Sequence, residues 1–321
     1  MPAKSLRNPG FDVLRIFAAA SVVLLHSTIG PDAAHVSSSL AALRIACRFA
    51  VPFFFIAAGY FQRDVTSFEF AIVARPLKRL LPLYIFWTVI YDLVFYAQYG
   101  AAALARYNFN AAYHLWFLPA LAVGIAVLQA GRAFLGLRFV TLAAVALALL
   151  GLASTTYSDM LGFGGLGGRR GWLFALPYLV IGAWLARTKY APSFKIAVST
   201  IISGYGCSIA EEYLLARSAG RTELFSHDFL FSTFLFGLGV AFLALWLGKN
   251  SRSHLMSRLS ALGSLSLGIY LSHVLFLWIF SPLISSNSFA GIGLLAMVTL
   301  IASALLAFLL AKTPYLRRVA T

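Results

Sequence analysis

Three ionisable residues interrupt the first apolar stretch of the chain, FDVLRIFAAASVVLLHS: Asp12, Arg15 and His26. A charge inside a hydrophobic span is costly and usually marks a pathway or a reaction site. Asp12 and Arg15, three residues apart, are neighbours on one helix face and can neutralise each other. Arg15 and His26 are eleven residues apart; at about 100° per residue this returns to within roughly 20° of the same face, with a rise of about 16 Å. One stripe therefore runs from a cation near the membrane edge to an imidazole deep in the bilayer. Histidine, with an ordinary pKa of about 6.5, is suited to taking a proton from an attacking hydroxyl. Each residue alone has a plainer explanation, a buried histidine satisfied by a carbonyl or an arginine snorkelling to the edge. The pair on one stripe, with Asp12 beside it, favours chemistry.

Further polar groups punctuate later apolar segments. Arg75, Lys78 and Arg79 stand together in ARPLKRLLP. They are either a cytoplasmic stop signal or an anion site, since Arg forks and a Lys point charge bind phosphate oxygens. His114 and Trp116 open HLWFLPAL, where an interfacial aromatic belt is the alternative reading. Tyr270 and His273 lie in SLGIYLSH, His273 near mid-span; Glu211 and Glu212 sit at one expected outer helix end, with His227 and Asp228 at the next. Cys47 and Cys207 fall inside apolar segments and read as small core residues, with neither a disulfide framework nor metal spacing. Gly162, Gly164 and Gly167 match G-x-G-x-x-G, but the dinucleotide fingerprint needs a strand before it and a helix after it. Here a turn between helices is the better reading.

The elements that must carry these groups follow from composition. Hydrophobic residues are 61% of the 321 and charged residues 11%, and the mean hydropathy is +0.86; an ordinary globular domain is about 45–50% apolar and about 25% charged. Continuous apolar runs of about 20 residues call for membrane-spanning helices, because lipid offers the backbone no partners and barrel strands would alternate. The expected fold is all-α, a polytopic integral membrane protein of about ten helices, organised as a single domain over residues 1–321. The spans are placed at 11–29, 45–62, 80–99, 114–130, 139–153, 171–186, 196–210, 228–247, 262–281 and 290–311. With the N-terminus inside, seventeen Lys and Arg lie on the cytoplasmic side and seven on the outer side, the asymmetry expected when both termini are cytoplasmic. Span 196–210, with its Ser, Gly and Thr content, is the weakest, and parity of the basic loops argues for it. Lys4 and Arg7 resemble the start of a signal peptide, but Asp12 and Arg15 break the apolar stretch that a signal needs next, so the first span is expected to remain. The net charge of +15 is distributed between spans, which argues against a nucleic-acid surface. The loops are short, which places the chemistry within or at the edge of the bilayer.

The sequence resembles the acyltransferase-3 family of membrane acyltransferases. The resemblance is carried by FDVLRIFAAASVVLLHS with Arg15, ten residues, then His26; by VPFFFIAAGYF; by ARPLKRLLP; by HLWFLPAL; and by SLGIYLSH, in the family's order over most of the chain. HLWFL is similar to the branch of surface-polysaccharide O-acetyltransferases. One departure is Ala58-Gly59-Tyr60, where the family usually has Ser-Gly-Tyr. The resemblance implies a cytoplasmic acyl-CoA donor, most often acetyl-CoA, and a hydroxyl acceptor on an envelope sugar, polysaccharide or lipid. Catalysis is then expected at His26 with Asp12 and Arg15, and CoA phosphates at Arg15, Arg75, Lys78 and Arg79. The acceptor is expected near His114, Trp116, Glu211, Glu212, His227, Asp228, Tyr270 and His273. No metal is expected, and the location is the cytoplasmic (inner) membrane. The competing classes are a proton-coupled transporter or exporter and a sensory or scaffold membrane protein.

Overall fold

The first helix, α1 (Pro9–Ser27), starts where local chemistry dictates. The Asn8 side chain accepts a hydrogen bond from the Gly10 N–H at 3.0 Å, and Pro9 occupies a position whose N–H would have no partner. A computed structural model describes residues 8–29, 37–62, 67–106, 113–162, 172–220, 227–250 and 253–313. After α1 come α2 (Ser38–Cys47) and α3 (Ala50–Tyr60), joined through Arg48 and Phe49 into one span, and then α4 (Phe70–Arg106). A 3-10 turn at Tyr113–Trp116 leads into α5 (Phe117–Phe134), followed by α6 (Leu137–Ser154), the one-turn α7 (Ser158–Leu161), α8 (Trp172–Thr188) and α9 (Phe194–Ser218). The chain closes with α10 (Phe231–Asn250), α11 (His254–Leu262), a 3-10 turn at Gly263–Leu265, α12 (Ser266–Phe280) and α13 (Phe289–Lys312). Among the described residues every regular element is helical, so the protein is an all-α polytopic membrane protein.

Eight stretches are long and apolar enough to cross a membrane: Pro9–Ser27, Ser38–Tyr60, Phe70–Ala102, His114–Phe134, Leu137–Ser154, Phe231–Asn250, His254–Phe280 and Phe289–Lys312. The two other predicted spans are helical as well. Leu173–Thr188 is apolar but shorter, and it is deeply enclosed, with Phe174, Ala175, Tyr178 and Leu179 fully buried. Helix α9 carries Ser199, Thr200, Ser203, Gly204, Gly206 and Ser208, which accounts for the weak signal over 196–210, and Lys195, Glu211, Glu212 and Arg217 flank that stretch. The third span begins earlier than its apolar run, because ARPLKRLLP continues the helix despite Pro76 and Pro82. Outward faces are apolar, with Phe139, Leu142, Leu149, Ile301 and Leu305 all exposed, as a lipid-facing surface requires.

Helix α1 lies at the centre, packed against α3, α10, α11, α12 and α13. Two kinds of close approach bring the site's elements together. A Cβ on Gly59 would stand 2.0 Å from the Leu179 carbonyl oxygen, and one on Gly182 would stand 2.0 Å from that of Ile56, so α3 and α8 meet backbone to backbone. Gly263 lies against Asp12, where a Cβ would come within 2.8 Å of the Asp12 Cβ. Cys47 is buried as expected, but Cys207 is exposed. It sits to the side of the α9 face, at Gly204 and Ser208, that is pressed against α10.

Candidate active site

Three of the six histidines converge from distant parts of the chain. His26 stands in the last turn of α1 and His273 in mid-α12, and a 2.7 Å hydrogen bond joins His26 Nδ1 to His273 Nε2. Their ring planes are nearly parallel, with centroids 4.9 Å apart. His114, in the 3-10 turn before α5, sets its ring edge to face on His273 at 5.0 Å and stands 6.4 Å from His26. His114 and His273 are buried and His26 is half-buried. Each ring is held by its surroundings. His273 Nδ1 lies 2.7 Å from the Tyr270 carbonyl oxygen, and the Tyr270 hydroxyl donates to the His114 carbonyl. Tyr91 of α4 packs its ring against His114 at 4.9 Å. Its hydroxyl donates to the Leu271 carbonyl at 2.8 Å and accepts from the Leu275 N–H at 3.1 Å. That hydroxyl thus stands between the two ends of an i, i+4 helical pair, stitching α4 into α12 on either side of His273.

The His26–His273 separation is itself informative. Two imidazoles on one zinc, each nitrogen about 2.0–2.1 Å from the metal in tetrahedral geometry, keep their nitrogens about 3.3 Å apart. A separation of 2.7 Å is that of a hydrogen bond, which suits proton transfer. Among the described residues no group of three or more His, Cys, Asp or Glu is arranged to hold a metal ion.

The other end of the α1 stripe is built around Arg15. Its guanidinium meets Asp12 at 3.4 Å and lies over the Phe61 ring at 5.1 Å. Asp12 Oδ2 also accepts from the Ser260 hydroxyl at 3.0 Å, which ties α1 to α11 where Gly263 allows the approach. Phe61 and Tyr60, at the end of α3, pack on Phe11. Ala58-Gly59-Tyr60 therefore bounds the Arg15 site, with Gly59 required by the α8 contact. Arg75, Lys78 and Arg79 are exposed along the start of α4, and the charge of Arg79 acts on Arg15.

The acidic candidates are engaged with the backbone at the start of α10, with His227 and with Arg48. Glu211 accepts from the backbone N–H groups of Phe231 and Ser232 at 2.7 and 2.9 Å and from the Tyr157 hydroxyl, capping α10, where the helix dipole favours an anion. Fully buried Glu212 binds the His227 N–H and, at 2.8 Å, His227 Nδ1. Asp228 pairs with Arg48 at 2.6 Å. Together they hold residues 227–232 against α9 and the α2–α3 junction, and so place Phe229, which stacks on Phe174 at 4.1 Å and touches Trp116 at 6.0 Å. Gly164 and Gly167 lie outside the described residues, while Gly162 ends α7 in a left-handed conformation. Sequence reasoning missed Tyr91, Arg48, Phe61, Phe229 and Ser260. Phe61 alone had a signal, being part of the VPFFFIAAGYF segment.

A family model described as an acyltransferase domain matches residues 8–312. The chain is 27% identical over 301 residues to a serine/alanine racemase of Enterococcus gallinarum, a match covering 84% of this chain and 40% of that protein. It is 26% identical over 164 residues to an amino-acid racemase of Enterococcus faecalis, covering 47% of this chain and 23% of that protein. The chain thus spans less than half the length of the curated relatives it matches. No solved structure matches. From one end of the helical bundle to the other, this chain belongs to the acyltransferase-3 family of membrane acyltransferases.

Proposed function

We propose that this protein moves an acyl group, in the first instance acetyl, from cytoplasmic acetyl-CoA to a hydroxyl of an envelope sugar, polysaccharide or lipid. It does so within the cytoplasmic (inner) membrane, through ten spans with both termini inside. The observation that supports this best is the hydrogen-bonded His26–His273 pair at one end of α1, on the same helical stripe as the Arg15–Asp12 pair at the other end. The depth between Arg15 and His26, about 16 Å by helix rise, suits the pantetheine arm of a donor whose phosphates stay at the membrane edge.

In this reading Arg15 and the exposed cations Arg75, Lys78 and Arg79 meet the donor's phosphates. Asp12 holds Arg15 in place and offsets its charge. His26 takes the proton of the acceptor hydroxyl as its oxygen attacks the thioester carbonyl; the C–S bond breaks, and the proton passes on to the departing sulfur. Half-buried Trp116, two residues after His114 and backed by the buried Phe229, offers a flat apolar face for a sugar ring, and Glu211, Glu212, His227 and Asp228 shape that side by fixing residues 227–232. A purified sample in detergent, given acetyl-CoA labelled in the acetyl group, tests the reaction class. An acyltransferase releases CoA thiol, by transfer or slow hydrolysis, whereas a proton-coupled transporter leaves the thioester intact.

A further inference from the structure

The histidine cluster contains a chain of hydrogen bonds whose direction follows from valence and burial. The Tyr270 carbonyl oxygen has no proton to give, so at 2.7 Å it must be accepting, and His273 Nδ1 must carry the hydrogen. A doubly protonated imidazole, fully buried against two further imidazoles, would be an uncompensated interior charge and is strongly disfavoured. His273 is therefore neutral, its proton is on Nδ1, and its Nε2 presents a lone pair. Across the 2.7 Å contact the donor must then be His26 Nδ1–H. His26 acts as a base only when neutral, and a neutral imidazole has one protonated nitrogen, so its basic lone pair is then on Nε2.

We infer that His273 is the positioning residue that fixes His26 in its Nδ1–H tautomer and thereby aims the basic Nε2 at the acceptor. This rests on the reading of His26 as the base, and assigns His273 a role other than substrate contact. When His26 Nε2 takes the hydroxyl proton, the ring becomes an imidazolium, and its Nδ1–H bond to the neutral His273 becomes charge-assisted and stronger. The pair is thus better bonded in the reacting state than at rest, the condition for raising kcat instead of ground-state binding. When Nε2 hands its proton to the leaving sulfur, the pair returns to its starting tautomers, and CoA leaves as the thiol. The geometry also explains why His273 must sit on α12 three residues after Tyr270: the carbonyl that sets its own tautomer belongs to the same helical turn.

The test uses full-length protein in detergent micelles with nitrogen-15 histidine, the His26 signals being identified by their loss in His26→Ala. The parent is expected to show His26 protonated at Nδ1 and bare at Nε2. His273→Gln offers an amide oxygen at about the place of the imidazole Nε2 and should keep that tautomer; His273→Phe fills the same volume with no acceptor and should lose it. Acetyl-CoA hydrolysis, with water as the probe acceptor, supplies the second readout. His273→Phe should lower kcat by about 10²-fold or more, within the range for a lost general base, with KM for acetyl-CoA little changed. His273→Gln should recover most of that loss. A parent spectrum with His26 protonated at Nε2, an unchanged tautomer in a folded His273→Phe protein, or equal losses in the Phe and Gln variants would each overturn the assignment. If His26→Ala still turns over acetyl-CoA while the tautomer results hold, it is the base assignment of His26 that fails, and the two failures are thereby distinct.

Discussion

The hydroxyl of Tyr91 shows how much of this site rests on single atoms. It bridges the Leu271 carbonyl and the Leu275 N–H on either side of His273 while its ring packs on His114. Tyr91→Phe removes only that oxygen, so it should cost about 1–3 kcal/mol in thermal stability, the range for a buried hydrogen-bonding group left without its partner. It should also slow acyl transfer by loosening the spacing of His114 and His273. Unfolding in detergent and acetyl-CoA turnover measure the two effects, and an unchanged variant would remove Tyr91 from the site. At this scale the sequence was partly legible. The Asp12–Arg15–His26 stripe is a matter of helical period, visible in one stretch of chain. The joining of His26 with His273 spans 247 residues, and no local period encodes such a contact. Glu211 marks a limit of such reading: an acid near a helix end looks the same in the sequence whether it meets a sugar hydroxyl or caps the backbone N–H groups of the next helix, as Glu211 does for Phe231 and Ser232.

Among the elements, α3 and α8 depend on the reciprocal approach of Gly59 and Gly182. A side chain on either glycine would collide with a carbonyl oxygen of the partner helix, which cannot rotate away. Gly182→Val should therefore force the helices apart and lower stability by about 1–3 kcal/mol or more, seen as a lower melting temperature in detergent; parental stability would mean the helices are not so close. Because α3 ends at Tyr60 and Phe61 beside Arg15, that variant should also weaken CoA binding. Helix α4 carries a different prediction. Arg75→Ala with Arg79→Ala removes two exposed cations from its first turns, and should weaken CoA about tenfold by calorimetric titration, since exposed charge contacts are modest singly. Unaltered affinity would place the phosphates elsewhere. The apolar runs announced these helices well, but not their ends. The helix containing ARPLKRLLP starts at Phe70, well before the apolar run, because exposed Arg and Lys side chains do not break a helix, and it continues through Pro76 and Pro82, each of which removes one backbone donor from its ladder.

For the whole molecule, the bundle wraps α3 and α10 to α13 around α1, so the helix with the most chemistry is also well shielded from lipid. The basic residues predict its orientation. Single cysteines in place of Asn108, Gly165, Lys78 or Arg252, in a Cys47→Ala, Cys207→Ala background, should sort by side; of these four positions only Lys78 lies within the described residues. A membrane-impermeant thiol reagent should label the first two positions in intact cells and the other two only after lysis; labelling at 252 in intact cells would mean a miscounted span before it. The all-α class and its membrane character were legible from composition, because lipid leaves so few folds. The packing order of the helices was not, since apolar faces toward lipid and toward protein read alike. Acyl transfer in this protein is proposed to stand on His26 as its base. It is tested most directly by mass spectrometry of envelope glycans and lipids from cells making the parent or His26→Ala at matched protein levels. The prediction is an acylated species present with the parent and reduced about 10²–10⁴-fold with the variant; equal acylation in the two would contradict it.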